Sequence, residues 1–386
     1  MRRANPFDPP AVLAAYRDSE PIRPMLYPDG HVGWIVTSHE LARTILGDPR
    51  FSARSEFKRA PVARPGADPF YGAPALPGWL VDMDAPAHTR LRQQLTGKFT
   101  ARRLKEVRPR IETIVEDLLT ALNDQPRPVD LVSAFCLPVP SLVICELLGV
   151  PYSERERFQR NSETLFALAA TADEAAAAMQ ELYAVVHELA ERGHGDGLLA
   201  TLAQEGTLDV DEIAGVGVLL LTAGHESTSS SLALSTFALL SHPDQLAKLT
   251  ADPALADNAV EELLRYLTVF HHGVPRTPLE DVLIDGRLLR AGDSITVCLP
   301  AANRDPAWFD GEPDRLDLDR KVTGHLAFGY GAHQCLGQNL VRTEMRVALP
   351  ALFRRFPTLA LAVAPEDVPL AADMSVYGCH RLPVTW

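Results

Sequence analysis

Cysteine is scarce in this sequence of 386 residues: five occur, at positions 136, 145, 298, 335 and 379, without regular spacing. An odd and scattered set excludes a disulfide framework and a CxxC metal site. Basic residues are also under-represented, with 37 Lys and Arg against 50 Asp and Glu and a net charge of −13. That excess of negative charge argues against non-specific binding to nucleic acid.

Long hydrophobic runs are missing as well. No stretch reaches the ~18 consecutive apolar residues of a transmembrane helix, and no apolar run of the kind a signal peptide needs follows Arg2 and Arg3. We therefore expect a soluble, cytoplasmic protein without a membrane partner. The sequence also lacks a G-x-G-x-x-G run after a predicted strand, which excludes a built-in dinucleotide site of the Rossmann type.

Nothing in the sequence divides the chain. Length alone would allow two or three domains, but no Gly/Ser linker, low-complexity run or internal repeat interrupts residues 1–386. Hydrophobic residues make up 46% of the chain, which is enough for a sizeable core. We predict a single domain over 1–386.

Hydrophobic periodicity predicts a mainly α fold with a minor β portion. Apolar residues recur at helical spacing in segments 103–122, 139–149, 153–168, 173–192, 210–241 and 254–268. Strand signals are short, and they cover 31–37, a hairpin over 282–290 with an Asp-Gly turn, 293–299, and a final segment 382–386 expected at a sheet edge. A Pro- and Gly-rich loop over 59–78 is longer than a simple connection requires.

One cysteine stands in an unusual setting. Cys335 lies in the run Phe328-Gly-Tyr-Gly-Ala-His-Gln-Cys-Leu-Gly337, and a predicted helix follows directly. Glycines let backbone N–H groups close around a sulfur, and a helix N-terminus favours the thiolate, which is the form that binds metals. The alternative is an ordinary buried free cysteine.

The middle of the longest predicted helix is a second unusual setting, at Ala223-Gly-His-Glu-Ser-Thr228. Gly224 and Glu226 are poor choices for a buried helix, since glycine costs about 1 kcal/mol against alanine and a buried carboxyl needs a partner. Gly224 would let a flat ligand approach, and hydroxyls at Ser227 or Thr228 would bond a carbonyl four residues back and open the helix. Glu226 with a hydroxyl would form a general-acid relay. The alternative is an ordinary helix with a solvent-facing glutamate.

Two further patterns place charged residues at helical spacing. His88 and Arg92 share one face of a predicted helix, where the guanidinium suits a bidentate bond to a carboxylate. A basic surface face is the alternative reading. Glu262 and Arg265 form an i, i+3 pair on an otherwise apolar helix, and most pairs of this kind are solvated and contribute little to stability.

Together these runs resemble the signatures of the cytochrome P450 family, in the family's order along the chain. The Cys335 run matches Phe-Gly-x-Gly-x-His-x-Cys-x-Gly at every fixed position. Residues 84–92 match Asp-x-Pro-x-His-Thr-x-x-Arg, and residues 262–265 match Glu-x-x-Arg. The resemblance covers essentially the whole chain, and it implies the P450 fold with haem b between the helix over 210–241 and the Cys335 loop.

The resemblance also implies roles for single residues. Cys335 would be the ligand of the haem iron, and a thiolate ligand favours O–O cleavage. The other cofactor-binding residues would be His88, Arg92, Arg276 and His333 at the two propionates, with Phe328, Gly329, Gly337 and Ala223 beside the macrocycle. The catalytic set on the oxygen side would be Gly224, Glu226, Ser227 and Thr228. A structural triad of Glu262, Arg265 and Arg315 would fix the segment that leads into the cysteine loop.

At one position the chain departs from the family pattern. The residue after the acid is usually threonine, and here it is Ser227. Serine keeps the hydroxyl but loses the methyl group that restricts its rotamer. Thr228 would compensate only if its side chain turned inward. Some family members with altered residues here carry out coupling or ring formation instead of oxygen insertion.

The resemblance implies a mostly apolar substrate pocket, although each residue in it is alternatively ordinary core. The residues are Phe70, Trp79, Leu80, Phe166, Leu220, Val269, Phe270, Val274 and Val376. Such walls suit an organic substrate that is bound by shape. The long 59–78 loop suggests a lid.

We therefore predict a haem-thiolate monooxygenase that uses O2 to hydroxylate or epoxidise a mostly apolar small organic molecule, a natural-product intermediate. Electrons would come in trans from a ferredoxin and its reductase, with Arg102, Arg103 and Arg342 as candidate docking cations. One alternative is oxidative coupling or cyclisation without oxygen insertion. Another is a non-enzymatic haem-thiolate sensor.

Overall fold

The structure, a computed structural model, describes residues 3–66, 70–193 and 195–386, so part of the predicted 59–78 loop lies outside the described residues. The α-helices are α1 Ala11–Ser19, α2 His39–Gly47, α3 Ala87–Thr96, α4 Ala101–Asn123, α5 Pro138–Leu148, α6 Arg155–Phe166, α7 Ala172–Arg192, α8 Leu198–Glu205, α9 Val210–Ser241, α10 Pro243–Ala251, α11 Ala256–Leu267, α12 Leu299–Ala302 and α13 Gln338–Arg355. The strands are β1 Ile22–Leu26, β2 Val32–Val36, β3 Phe51–Ser52, β4 Val129–Asp130, β5 Val274–Pro278, β6 Val282–Ile284, β7 Arg287–Leu289, β8 Ile295–Val297, β9 Ala360–Leu361 and β10 Pro383–Thr385. The mainly α fold is confirmed.

The helix α9 is the central element. Its N-terminus is a capping box, in which the Asp209 carboxylate accepts the Glu212 N–H at 2.8 Å and the Glu212 side chain bonds back to the Asp209 N–H. Helices α5, α7, α8, α10, α11 and α13 all contact α9. A helix that is apolar on every side needs such all-round burial.

Two β predictions have different outcomes. The hairpin is confirmed, because β6 pairs with β7 and both turn residues have positive φ, 47° at Asp285 and 71° at Gly286. The final segment was expected at an edge, and that prediction is wrong: β10 lies between β4 and β9 in a three-stranded sheet. Pro383 begins the strand, where a missing N–H is tolerated. The larger sheet has the order β1-β2-β8-β5-β3.

A buried ion network fixes the approach to the cysteine loop. The Arg265 guanidinium donates to both Glu262 carboxylate oxygens, at 2.7 and 2.8 Å, and neither side chain is exposed. The same guanidinium donates to the Asn303 and Pro313 carbonyls at 2.8 and 2.9 Å. These bonds hold α11 against the chain that follows α12.

The second arginine of this network is not the one expected. Arg320 approaches a Glu262 oxygen at 3.3 Å and its side chain is 9% exposed, whereas Arg315 is exposed. The prediction of Arg315 is therefore wrong at that position. Both residues lie in a turn-rich segment without helical or strand periodicity, so spacing alone did not distinguish them.

No helix within the described ranges combines the length and the apolarity that a bilayer-spanning segment needs.

We expect Arg320→Ala to lower the free energy of unfolding by about 3 kcal/mol, because it removes one cation from a buried carboxylate. Arg315→Ala is the matched control, and as an exposed substitution it should change that free energy by no more than about 0.5 kcal/mol. Urea denaturation followed by tryptophan fluorescence and far-UV circular dichroism measures both. Equal effects of the two substitutions would contradict the assignment of Arg320.

Candidate functional site

The Cys335 loop is closed by a backbone bond. The Cys335 N–H donates to the Phe328 carbonyl at 2.9 Å. Gly329 and Gly331 have φ of 67° and 75°, a region that favours glycine. A Cβ at Gly331 would lie 2.5 Å from the Leu46 carbonyl oxygen, so a larger residue does not fit there. Positive φ therefore explains both glycines, and the close approach of Leu46 further explains Gly331.

The surroundings of the Cys335 sulfur act in opposite directions. Burial raises the pKa of the Cys335 thiol, while the N–H groups of Gly337 and Gln338 and the charges of Arg92 and Arg342 lower it. Helix α13 begins at Gln338, so its N-terminus contributes to this field. Burial is the larger effect and the pKa of the thiol is raised on balance, so a cation at the sulfur is what would stabilise the thiolate.

Cys335 faces a cavity of about 340 Å³. Of the five cysteines it alone lines this cavity, and the other four are buried elsewhere. That placement disfavours the reading of Cys335 as an ordinary core residue. The cavity walls include the predicted residues Leu80, Arg92, Leu220, Ala223, Gly224, Ser227, Val269, Phe270, Val274, Arg276, Phe328, Gly329, His333 and Gly337.

Four predicted substrate residues do not line this cavity. The Phe70 ring stacks on Trp79 and on Phe166, with centroids 6.2 and 6.0 Å apart, so these three form an aromatic layer of their own. Val376 is 1% exposed and belongs to the core. The prediction that these four residues contact the substrate directly is therefore not supported by the lining of the cavity.

Other wall residues were not predicted. Leu219, Val81 and Ile144 line the cavity. Leu219 lies four residues before Ala223 on α9, and that spacing was a usable signal. Ile144 comes from α5, and only the tertiary packing of α5 on α9 brings it to the site.

Basic side chains gather on one side of the cavity, which Arg92, Arg276 and His333 line, and His88 lies behind His333. The His88 and His333 rings lie 4.1 Å apart, and one buried ring nitrogen on each, Nε2 of His88 and Nδ1 of His333, has no hydrogen-bond partner among the described residues. Arg276 is 5% exposed and donates to the Pro275 carbonyl at 2.8 Å. Arg92 donates to the Gln334 carbonyl at 2.6 Å.

Burial makes these charges costly. Desolvation lowers the pKa of Arg276 to about 10, although Asp82 and Asp84 oppose the shift. Desolvation, and then the charges of Arg276, His88, Lys58 and Arg92, lower the pKa of His333 to about 2. Desolvation and Arg92 also lower the pKa of His88. Asp82 is the acid that lines this cavity among the described residues, and it is paired with Lys58.

Lys58 is a cation that sequence reasoning missed. Its side chain is 6% exposed, pairs with the Asp82 carboxylate, and lines the same cavity. Asp82 in turn accepts the Trp79 indole N–H at 2.9 Å. The sequence around Lys58 has no periodic or motif signal, so only the folded chain shows this lysine at the site.

On the opposite wall, α9 is unbroken. The Ser227 hydroxyl donates to the Ala223 carbonyl at 2.9 Å, and the Thr228 hydroxyl donates to the Gly224 carbonyl at 3.1 Å. These are the expected bonds four residues back, but the expected opening of the helix is not observed. Thr228 is fully buried and does not line the cavity, whereas Ser227, Ser231 and Ser235 of α9 do.

Gly224 has a packing role. A Cβ at this position would lie 3.1 Å from the Ile144 side chain, so α5 fills the space beside the glycine. The glycine lines the cavity but does not open a slot for a flat ligand through its missing side chain. The correction follows from the close approach of α5 to α9.

Glu226 is a largely buried acid, with its side chain one-fifth exposed. Desolvation and then the charge of Glu163 raise the pKa of Glu226 to about 7, while His380 acts in the opposite direction. Near neutral pH the carboxyl therefore exists in both protonation states, which suits a proton donor. His225, 3.8 Å away, is fully buried and desolvation lowers its pKa to about 4, so it is uncharged.

Of the three candidate docking cations, Arg342 has an internal role. It donates to Glu261 at 2.7 and 2.9 Å and lies 4.5 Å above the Phe328 ring. Burial opposes ionisation of Glu261, but the bonds from His325 and Arg342 hold its pKa at about 2. Arg102 and Arg103 are exposed.

The residues present fit a haem. The cavity offers a cysteine sulfur on one side and, at its rim, buried nitrogens that lack acceptors. Two propionates would supply those acceptors and the missing negative charge. The apolar interior, from Leu219 and Ala223 on one wall to Leu336 on the other, suits a macrocycle.

The chain is similar to known proteins over its whole length. The family model described as Cytochrome P450 matches residues 172–372. Cytochrome P450-SU2 of Streptomyces griseolus is 45% identical over 385 residues, which cover 99% of this chain and 94% of that protein. Pentalenic acid synthase of Streptomyces avermitilis is 41% identical over 391 residues, which cover 100% and 96%. The crystal structure of CYP105P1 in complex with filipin I has a TM-score of 0.92 at 38% identity, covering 100% and 97%.

We expect Arg276→Leu to speed the loss of haem to apomyoglobin about tenfold or more, because a charge-assisted bond to a carboxylate contributes about 1.5–3 kcal/mol. Arg290→Leu is the control, since Arg290 is exposed and its substitution removes the same charge. Haem transfer is followed by the Soret absorbance of the acceptor. Identical transfer rates for the two variants would contradict a role of Arg276 at the cofactor.

Proposed function

The chain belongs to the cytochrome P450 family of haem-thiolate monooxygenases, and from this premise we propose that it hydroxylates or epoxidises a mostly apolar small organic molecule, a natural-product intermediate. The observation that carries the proposal is the cavity between Cys335 and the α9 wall formed by Ala223, Gly224 and Ser227. The apolar side chains that would contact the substrate in this cavity are Leu219, Leu220, Val269, Phe270 and Val274. Apolar walls with few polar groups select a substrate by shape and hydrophobicity.

The names of the relatives support the substrate class. One is a synthase of pentalenic acid, and a solved neighbour holds filipin I. Both are statements about those proteins. The shared fold and the apolar walls of this chain's own cavity make a related class of organic molecule the natural proposal for this chain.

The residues on the cysteine side would hold the cofactor and tune it. Haem b bound through a cysteine thiolate supplies the activation of O2, with the thiolate favouring O–O cleavage. The N–H groups of Gly337 and Gln338 stabilise negative charge on the Cys335 sulfur. Arg92, Arg276, His88 and His333 would neutralise the propionates, and Lys58 adds a further positive charge that Asp82 partly offsets.

The residues on α9 would handle the proton. Glu226, with a pKa of about 7, can hold a proton at neutral pH and release it toward the cavity. Ser227 is the neighbouring hydroxyl on the cavity wall, and it now donates to the Ala223 carbonyl. Rotation about its χ1 angle would turn the hydroxyl inward, a motion that serine permits more readily than a β-branched threonine.

Electrons would come from a ferredoxin and its reductase in trans. Arg102 and Arg103 lie exposed at the start of α4, although Arg103 also pairs with Glu106 at 2.5 Å. An acidic partner would be attracted to such a surface, and the attraction would weaken with salt.

Oxidative coupling or cyclisation is the second candidate function. The observation that favours it concerns Ser227. Its hydroxyl donates to the Ala223 carbonyl of its own helix, so it is not available as the proton donor that oxygen insertion needs. Product mass distinguishes the two reactions. Gain of one oxygen marks hydroxylation or epoxidation, and loss of two hydrogens marks coupling.

Cys335→Ala should abolish the red-shifted Soret band of the reduced, carbon-monoxide-bound protein, because that band reports thiolate ligation. Cys298→Ala is the matched control: Cys298 is 3% exposed and away from the cavity, so the band should persist. The measurement is a reduced difference spectrum. Persistence of the band in the Cys335 variant would overturn the assignment of the iron ligand.

Ser227→Ala should lower the amount of product formed per electron pair by about tenfold or more, with hydrogen peroxide released instead, since a positioned proton donor contributes about 10²–10⁴ in rate. Ser227→Thr keeps the hydroxyl and should match or exceed the parent protein. Ser229→Ala, a buried serine two residues further on, is the control. Unchanged coupling in Ser227→Ala would show that the hydroxyl is dispensable and would favour the second candidate reaction.

A further inference from the structure

The cavity beside Cys335 has a buried ion pair among its apolar walls. Lys58 and Asp82 both line the cavity, and their side chains are 6% and 11% exposed. Lys58 donates to one Asp82 carboxylate oxygen, and the Trp79 indole N–H donates to the other at 2.9 Å. The pair therefore places a neutral but strongly polar point in a pocket that otherwise selects by shape.

The backbone on both sides of this pair is anchored. Asp82 ends the short turn Leu80–Asp82, and all three residues of that turn line the cavity. On the other side, the Thr277 hydroxyl of β5 donates to the Phe57 carbonyl at 2.9 Å, directly before Lys58 in the chain. The two charged groups are thus held at the cavity by different segments, and their mutual position does not depend on one flexible loop.

Both side chains keep hydrogen-bonding capacity beyond their own bond. An ammonium group has three donors, and within the described ranges Lys58 donates to Asp82 alone, with the Tyr71 ring centroid 5.6 Å from its nitrogen. A carboxylate has about four lone-pair sites, and Asp82 accepts from Lys58 and Trp79. A donor and an acceptor are therefore available side by side. A hydroxyl group, which both donates and accepts, can bond to both members at once.

The surrounding charges determine which polar group fits. Arg92 and Arg276 line the same cavity and have backbone carbonyls as acceptors, so both guanidinium charges remain for the two propionates. The charge of Lys58, in contrast, is already matched by Asp82. A net anion would meet the Asp82 carboxylate and the propionates, and a net cation would meet Arg276. Because an unmatched buried charge is costly, a neutral group is favoured at the pair.

We propose that Lys58 and Asp82 are specificity-determining residues that bind a hydroxyl group of a neutral organic substrate. Lys58 donates to the hydroxyl oxygen, and Asp82 accepts the hydroxyl hydrogen bond. The substrate class is therefore an apolar alcohol, whose hydrocarbon part fills the apolar region of the cavity, and not a plain hydrocarbon or an ionised acid. The proposal rests on the monooxygenase function and adds the class of substrate to it.

Two simpler roles of the pair lead to different expectations. A pair that merely fastens the loop before α3 would affect an alcohol and a hydrocarbon equally. A Lys58 that binds a haem propionate would affect retention of the cofactor and not the choice of substrate. Burial lowers the pKa of Lys58, and the charge of Arg276 adds to that shift while Asp82 opposes it, so Lys58 lies within reach of the propionate side as well.

The first measurement is equilibrium dialysis of the haem-bound protein against cyclododecanol and cyclododecane, which share a ring and differ in one hydroxyl group. Lys58→Met combined with Asp82→Asn removes both charges together, so no lone buried charge remains, and it keeps an oxygen for the Trp79 indole N–H. This double variant should weaken binding of cyclododecanol about tenfold or more, because the hydroxyl loses charge-assisted hydrogen bonds. Binding of cyclododecane should stay in place.

The matched control is Arg59→Met combined with Asp29→Asn, which removes an exposed ion pair next to Lys58 in the chain. It should change the affinity for neither probe. Equal weakening of both probes in the Lys58 and Asp82 double variant would overturn the proposal, and so would an unchanged affinity for the alcohol. A parent protein that does not bind cyclododecanol would overturn it as well.

The second measurement uses an anion. Asp82→Asn alone leaves the charge of Lys58 unmatched, so ionised cyclododecanecarboxylic acid should bind more tightly to this variant than to the parent protein at neutral pH. Equal affinity of the two proteins for the acid would contradict a pair that faces the substrate.

Haem transfer to apomyoglobin tests the propionate role. The Lys58 and Asp82 double variant should lose haem at the parent rate. Loss as fast as in Arg276→Leu, with unaltered probe binding, would overturn the proposal and assign Lys58 to a propionate. The carbon-monoxide band of the parent protein reports the haem-thiolate centre separately. Its absence would mean failure of the monooxygenase function, whereas a normal band with unselective probe binding would contradict the hydroxyl site alone.

Discussion

Buried positive charge beside the cavity is the constraint on which the site depends. Arg276 is nearly inaccessible and has a backbone carbonyl as its acceptor, and His88 and His333 lie ring against ring with buried nitrogens that lack partners. A protein pays a large desolvation cost for such an arrangement unless an anion completes it. The loss of protonation at His333 and the pairing of Lys58 with Asp82 are both responses to that cost.

Helix α9, on the other side, carries a buried acid instead of buried positive charge. Glu226 is a buried acid without a cation at bonding distance, and desolvation therefore favours its protonated form. On one side of the cavity a buried arginine is therefore stabilised by an added anion, whereas on α9 burial stabilises the protonated form of Glu226. Between them stand apolar side chains such as Leu220 and Val274, which keep water from screening either effect.

Much of this arrangement was predictable, because it is written in local motifs. Cys335, its glycines and the pair Glu262 and Arg265 were identified because their runs resemble motifs of the family, and the structure brings the cysteine loop to the cavity. What sequence could not supply depends on contacts between distant segments. Arg320 replaces Arg315 because of how an irregular turn folds over α11, and β10 becomes a central strand because β4 and β9 flank it. Lys58 was missed for the same reason, since it comes from a loop without any motif and only the fold brings it to the cavity.

A C-terminal hairpin over 369–380 joins segments that lie apart in sequence. The Tyr377 N–H donates to the carbonyl of Val269, a residue of the apolar wall, at 2.8 Å, while Gly378 lies on α9 and Ser375 is bonded to the end of α6. One short segment therefore contacts an apolar wall of the cavity, helix α9 and the α6–α7 junction. Because packed backbone transmits displacement rather than absorbing it, a substrate that shifts Val269 would also shift the surroundings of Glu226. These main-chain bonds therefore connect the apolar wall at Val269 with the part of α9 that carries Glu226, although the two lie far apart in the sequence.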